Sequence, residues 1–311
     1  MRVIFFGTSE FAVPSLEQVV AHRHQVVMCV TQPDRPRGRG LHLEPPPAKE
    51  AALRLGLPLA QPERPRAELF ESLHPDIGIA VAYGQLIRKD LLELPAQGML
   101  GVHPSLLPKY RGAAPVAWAI LNGEVTTGVT IFRLNERLDA GEIVAQQVAA
   151  VQPDENAEAL TTRLAQGGAE LLVDALEAIA NASARFTPQD ESLASVAPKL
   201  TKAQGRIEWG AASERIERLV RATAPWPGAF TEWRGGRLKV VSARAVVSGS
   251  RAASAGTITR ASEGTLTVAA GQGVVEITEV QPAGRRRMSV REFLAGHHVT
   301  IGEKFGGEKF G

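Results

Sequence analysis

MRVIFFGTSEFAVPSLEQVV, residues 1–20, decides the fold class. Arg2 to Phe6 forms a short unbroken apolar run, the pattern of a strand buried on both faces. Gly7-Thr8-Ser9 reads as a turn, and a helix follows with Pro14 near its first turn, where a missing N–H is tolerated. The same strand-then-helix pattern recurs downstream. Gln25 to Thr31 and Ile77 to Ala82 read as further buried strands, and Leu100 to His103 as a short fourth. Strands alternating with helices predict an α/β fold with a mostly parallel sheet covered on both faces. Residues 128–134 and then Ile143 to Val151 predict a hairpin beyond that sheet. Asn156 to Ala180 predicts a helix with Leu160, Leu164, Leu171, Leu172, Leu176 and Ile179 along one stripe.

The pattern changes after that helix. Arg185 to Ala203 lacks periodicity and contains Pro188 and Pro198, so residues 185–203 read as a linker between a first domain, 1–184, and a second, 204–301. In the second, Ser213 reads as the cap of a helix running to about Thr223, which Pro225-Trp226-Pro227 ends. Short strands follow at Ala229 to Trp233, Leu238 to Val247, Thr265 to Ala269 and Val274 to Val280. Closely spaced strands with Gly-rich turns predict a small barrel or sandwich. The chain ends in GEKFG twice, and residues 302–311 read as a disordered tail.

A chain of 311 residues with two such patterns fits two domains. The one cysteine, Cys29, lies in a strand-like run and reads as a buried small hydrophobe, with no internal disulfide available to it. The N-terminus goes directly into a strand and no long apolar window occurs, so neither a leader nor a membrane span is expected, and the expected compartment is the cytoplasm. Residues 1–190 carry 17 Lys+Arg against 22 Asp+Glu, while residues 191–311 carry 18 against 11. A basic second half favours a polyanionic partner.

Gly7 is followed by no GxGxxG pattern, and no GxxxxGK[ST] occurs, which argues against a nucleotide cofactor. The chemistry concentrates in GVHPSLLPKYRGAAPV, Gly101 to Val116, and in TGVTIFRLNERLDAGE, Thr127 to Glu142. Loops at the carboxyl ends of parallel strands are where such sheets bind ligands. His103 there, with Asp139 further along, suits proton transfer, because imidazole titrates near neutrality and a carboxylate orients it. Ser105 lacks the GxSxG setting of a nucleophile elbow, which disfavours a hydrolase triad. No set of residues has metal-ligand spacing, and no metal is expected.

The ordered blocks FFGTSEFA, TQPDRPRGRG, VAYGQLI, HPSLLPKYRGAAPV, TGVTIF and LDAGE resemble those of the folate-dependent formyltransferases. LTKAQGRIEW, ATAPWPGA and QPAGRRRMS extend the resemblance to the branch of that family acting on methionyl-tRNA. It implies a Rossmann-like first domain and a second, OB-like barrel that binds tRNA. It also implies 10-formyltetrahydrofolate as donor, initiator methionyl-tRNA as acceptor, a role in translation initiation, and a monomer. Position by position, His103 and Asp139 match the catalytic pair. Ser105, Leu106, Leu107 and Pro108 match the segment lining the folate site, and Tyr83, Gly84, Leu86 and Ile87 the loop near the pteridine. Arg39 matches an arginine reaching toward the acceptor end of the tRNA. Arg35 and Arg37 share its basic loop, and Arg285, Arg286 and Arg287 form a second basic cluster. Arg215, Arg218 and Arg221 lie along one side of the 213–223 helix.

One position departs from the pattern. The family has Asn-x-His where this chain has Gly101-Val102-His103. The asparagine is expected to donate a hydrogen bond to the formyl oxygen, and its loss is worth about 10²–10³ in rate. Two expectations follow: a water occupies the vacated space, and Gly101→Asn raises turnover several-fold. The alternatives are a formyltransferase for another amine, such as an amino sugar nucleotide or glycinamide ribonucleotide, and a tRNA- or folate-binding protein weakened at position 101.

Overall fold

β1, Arg2–Gly7, lies inside a seven-stranded sheet, and Val3 to Phe6 are each no more than 1% exposed. That burial is what parallel neighbours on both sides and helices on both faces require. The computed structural model describes residues 1–37, 42–246 and 253–306. The chain divides into two units: Met1–Pro115, Thr126–Ala150 and Thr161–Pro198 form one, and Val116–Val125, Val151–Leu160 and Lys199–Gly311 the other.

After β1 come α1 (Val13–Ala21) and β2 (Gln25–Val30), then a two-stranded hairpin of β3 (Arg35–Arg37) and β4 (His42–Glu44). α2 (Pro47–Arg54), β5 (Leu59–Ala60), β6 (Ile77–Val81), α3 (Lys89–Leu92) and β7 (Met99–His103) follow. α4 (Pro115–Leu121), β8 (Thr126–Arg133), β9 (Ile143–Ala150) and α5 (Ala157–Ala180) complete the first part of the chain. The sheet order is β5-β2-β1-β6-β7-β8-β9, parallel from β5 to β7. From β1 the chain goes to β2 on one side and later returns to β6 on the other. The carboxyl ends of β1 and β6, on either side of such a reversal, are where open parallel sheets take ligands.

The expected hairpin beyond the sheet is instead part of it. β8 pairs antiparallel with β7, placing Gly101 opposite Phe132 and His103 opposite Thr130. Thr127 to Phe132 are all buried, which an outlying hairpin could not satisfy, and β9 takes the half-exposed edge. The leucine stripe of α5 is buried at Leu160, Leu164, Leu172 and Leu176, and the side chain of Asn156 accepts from Ala159 N at 2.9 Å to cap the helix.

The second unit holds α6 (Ser213–Thr223), β10 (Ala229–Trp233), β11 (Gly236–Val246), β12 (Ile258–Ser262), β13 (Thr265–Ala269), β14 (Val274–Pro282), β15 (Met288–Ser289) and α7 (Val290–Gly296). Its strands form an antiparallel sheet in the order β10-β11-β14-β13-β12, with β15 added on β14. Among the described residues the two outer strands do not pair, so the sheet is an open path, within the small barrel or sandwich expected, since OB-like barrels are themselves partly open. Trp209, Ile216, Leu266, Ile277 and Phe293 fill its core. The cap of α6 lies one residue earlier than expected, at Ala212, with Ser213 as the first helical residue.

Two boundaries move. Residues 185–198 are no free linker but belong to the first unit. Thr187 exchanges backbone hydrogen bonds with Ile143 at the start of β9, and Val196 bridges to Arg111, so these backbone groups pair with protein instead of water. The first GEKFG repeat is likewise no tail: Phe305 is 3% exposed in the second core, and its N–H donates to Gly256 O at 2.8 Å. The second repeat lies outside the described residues.

Candidate active site

β7 ends at His103 because Pro104 has no N–H to continue the ladder. His103 is 6% exposed. Its Nε2 lies 2.8 Å from Tyr110 O. A carbonyl only accepts, so Nε2 carries the proton and Nδ1 is the nitrogen left to exchange one. Nδ1 is 3.7 Å from Asp139 Oδ2, an electrostatic contact beyond hydrogen-bond length. That carboxylate oxygen also accepts from Gly112 N at 2.8 Å. Two unusual backbone conformations aim these groups: Tyr110 has φ 61° and Asp139 φ 49°. Gly112, at φ 119°, must be glycine on a second count, since a Cβ there would stand 2.8 Å from Ala197 O.

The SLLP loop folds back under its own hydrogen bonds. Ser105 Oγ donates to Lys109 O at 2.6 Å, closing the turn from inside, and Ser105 and Leu107 are buried. Thr130 Oγ1 donates to Ser105 O at 2.7 Å and accepts from Leu107 N at 3.0 Å. Gln146 Nε2 donates to Leu107 O and Thr130 Oγ1. Leu106 and Pro108 are left partly exposed, so they are the members of the segment that can meet a ligand.

At the carboxyl end of β6, Tyr83 O accepts from Thr8 Oγ1 at 2.7 Å and Gln32 Nε2 at 2.9 Å. The Tyr83 ring is buried edge-on against Phe6, and burial pushes its hydroxyl pKa up to about 12. Tyr83 and Ile87 therefore serve the core, while Gly84 and Leu86, the latter 78% exposed, face solvent. A cleft of about 620 Å³, lined by Lys89, Leu92, Met99, Arg133, Leu134 and Arg137 among others, opens in the same unit.

Gly101 does not leave a vacancy. A Cβ built there would stand 2.5 Å from Phe132 Cε1, and 2.8 Å from both Phe132 Cζ and Leu134 Cδ1. The expectation of a water in that space is overturned, because the ring of its cross-strand partner has filled it. The same ring lies edge-on to His103, with centroids 6.5 Å apart.

Comparison with known proteins decides the family. Residues 1–176 match the model described as formyl transferase, and residues 199–298 its C-terminal domain. The chain belongs to the formyl transferase family. It is 45% identical over 313 residues to a methionyl-tRNA formyltransferase of Roseiflexus castenholzii, covering 99% of both chains. A Moorella thermoacetica relative of the same name is 42% identical, with 98% and 99% covered. Among solved structures, the N-formyltransferase from Helicobacter canadensis in complex with folinic acid and dTDP-3-aminofucose shares the fold, with TM-score 0.69 and 18% identity over 91% of this chain and 99% of that one. HypX from Aquifex aeolicus in complex with tetrahydrofolic acid gives TM-score 0.67 at 19% identity. This chain spans 94% of its own length but 47% of that one.

The basic residues of this formyl transferase fall in different settings. Arg35 is exposed at the base of the β3-β4 hairpin, beside Asp34, whose carboxyl is held below its ordinary range by hydrogen bonds from Lys49 and Gln61. Arg37 closes β3, and Arg39 lies outside the described residues. Arg285 to Arg287 are exposed, but Arg286 pairs with Glu292 at 2.7 Å and Arg287 with Glu279. Arg221 is spent internally: its Nη1 donates to Glu155 O at 2.9 Å, and burial lowers its pKa. Cys29 is buried and its thiol pKa is pushed up to about 12, consistent with the packing role read for it.

Sequence reading singled out Arg111 in the Gly101 to Val116 stretch without a role, and missed Thr130, Gln146, Gln189 and Ser195; all five hold the site loops. Ser195 Oγ accepts from Tyr110 N at 2.9 Å, and Ser195 O from Arg111 N at 2.8 Å. Only the PKYRG block hinted at Arg111. The others are common polar types in strands or loops and carry no local signal.

Proposed function

We propose that this protein transfers the formyl group of 10-formyltetrahydrofolate to the α-amino group of methionine on initiator tRNA, supplying the formylated starter of translation. The observation that carries the reading is coverage. Both halves of the chain match the family, and identity of 40–45% to proteins named methionyl-tRNA formyltransferase runs the full length. The neighbour in complex with dTDP-3-aminofucose shares the fold at 18% identity, which carries no substrate assignment.

In this reaction the amine nitrogen bonds to the formyl carbon, the carbon–N10 bond breaks, the amine gives up a proton and N10 gains one. His103 is the proton carrier through Nδ1, since Nε2 is engaged by Tyr110 O. With both nitrogens protonated, it also opposes the negative charge that builds on the formyl oxygen. Asp139 faces Nδ1 and balances that charge. Gly84 and Leu86 are the exposed members of the donor loops, and Leu106 and Pro108 the partly exposed ones. Arg35, Arg37, Arg39 and Arg285 are assigned to the tRNA phosphates by their charge, and Arg286 and Arg287 are paired to glutamates. The protein works as a monomer in the cytoplasm, where the charged initiator tRNA is made. Among the described residues no helix is long and apolar enough to cross a membrane.

The test is formylation by purified protein with 10-formyltetrahydrofolate and initiator methionyl-tRNA, elongator methionyl-tRNA, or amino sugar nucleotides. Selective product on the initiator tRNA is expected. Product only on a sugar amine, or salt-dependent tRNA binding with no product on any amine, overturns the reading in favour of a different acceptor or a binding protein.

A further inference from the structure

Gln189 lies in the segment expected to be a linker, yet its amide makes four hydrogen bonds at the candidate site. Oε1 accepts from Arg111 Nη2 at 2.7 Å and Nε at 3.1 Å. Nε2 donates to Asp139 O at 2.9 Å and to Gly141 O at 2.7 Å. Its orientation is fixed by chemistry: a guanidinium only donates and carbonyls only accept, so no flipped amide satisfies both sides. Arg111 is 8% exposed and is held on its other edge by Glu191, at 3.0 and 3.2 Å. That pairing keeps the Glu191 carboxyl below its ordinary range.

The two sides of this amide are the two loops that carry the chemistry. Arg111 follows Tyr110, whose carbonyl holds His103 Nε2. Asp139 sits in a left-handed conformation that a residue with a Cβ enters at some cost, and Gly141, two residues on, is pressed against Arg133 O. A turn of that kind persists only where its surroundings determine it. Both carbonyls that flank its bend are taken by one Nε2. We propose that Gln189 is a positioning residue for the formyl transfer assigned above: it locks the 139–141 turn so that the Asp139 carboxylate stays on Gly112 N and beside His103 Nδ1. It couples that turn to the Tyr110-Arg111 loop. An amide of this length is the required group, because a carboxylate keeps the Arg111 side but turns an acceptor toward two carbonyls.

The experiment uses Gln189→Met, which removes all four bonds at similar volume, and Gln189→Glu, which keeps the pair to Arg111. If Gln189 acts through Asp139, kcat falls about 10- to 100-fold in both variants, as small misplacements of reacting groups do. KM for tRNA then changes less than about 3-fold. In an Asp139→Asn background, Gln189→Met then adds less than about 2-fold, because the group it positions is already disabled. If Gln189 only anchors the segment to Arg111, Gln189→Glu retains wild-type kcat, which overturns the proposal. The Gly112 amide resonance provides a check independent of any acceptor. Loss of its carboxylate partner moves it the same way in either Gln189 variant as in Asp139→Asn. An unmoved Gly112 resonance in folded Gln189→Glu overturns the positioning role, whereas absent formylation by the unaltered protein overturns only the assigned reaction.

Discussion

Gly101→Asn restores the residue that the formyltransferase pattern carries two positions before the histidine, and the structure predicts that alone it damages the protein. Carbon atoms pack at about 3.5–4.0 Å, whereas a Cβ at position 101 meets Phe132 Cε1 at 2.5 Å, and Phe132 Cζ and Leu134 Cδ1 at 2.8 Å. The shortfall is about 1 Å on the first atom of the new side chain, before its amide is placed. Phe132 is 4% exposed and has little room to give. Overpacking of this kind costs about 1–3 kcal/mol, and at roughly 2–4 °C per kcal/mol the unfolding midpoint drops by about 2–12 °C. Phe132 also abuts His103, so a displaced ring disturbs the imidazole and turnover falls rather than rises. Phe132→Leu deletes the two ring atoms in conflict. Combined with Gly101→Asn it is expected to recover stability beyond the sum of the single changes by about 0.5–3 kcal/mol. The assay is a four-member cycle, with thermal or urea unfolding and formylation rates for each protein. Wild-type stability and several-fold faster turnover in Gly101→Asn alone would refute the steric argument, as would strict additivity in the cycle.

Thr130→Val removes a hydroxyl that serves both Ser105 O and Leu107 N, leaving buried groups unpaired at about 1–3 kcal/mol. Denaturant unfolding measures the loss, and a raised KM for folate is expected from the loosened loop. Glu303 accepts from Arg234, Trp233 Nε1 and Thr300 N, and chiefly the Arg234 bonds hold its pKa at about 2. A depressed carboxylate stabilises the fold above its unfolded pKa of about 4.5 and stops doing so as pH falls toward 2. Glu303→Gln should therefore flatten unfolding midpoints between about pH 4.5 and pH 2, and a slope equal to wild type counts against the assignment. Phe305→Ala empties a place in the second core beside Trp209, at 5.7 Å between centroids. A loss of about 3–5 kcal/mol is expected in calorimetry, whereas an unaffected transition would return residues 302–306 to the status of a tail.

The parallel part of the sheet, the long helix, the two-part organisation and the His103 loop were legible in the sequence, for a physical reason. A buried strand or an amphipathic helix needs an apolar pattern of fixed period within its own few residues, and the turns between them need glycine and proline at particular places. Val3 to Phe6, the leucines of α5 and the HPSLLP segment all carry their information locally. What the tertiary structure alone decided involves partners far apart in the chain. Periodicity shows that Thr127 to Phe132 is buried but not that it pairs with β7 and so lays Phe132 over Gly101. Gln189 reaches Asp139 across 50 residues and Arg111 across 78, and Phe305 reaches a core formed by strands well before it. A polar residue in an aperiodic stretch gives no sign of which carbonyl or guanidinium it will meet. An absent side chain at position 101 gives no sign that another residue has taken its volume, because packing is a property of the filled space and not of the chain that fills it.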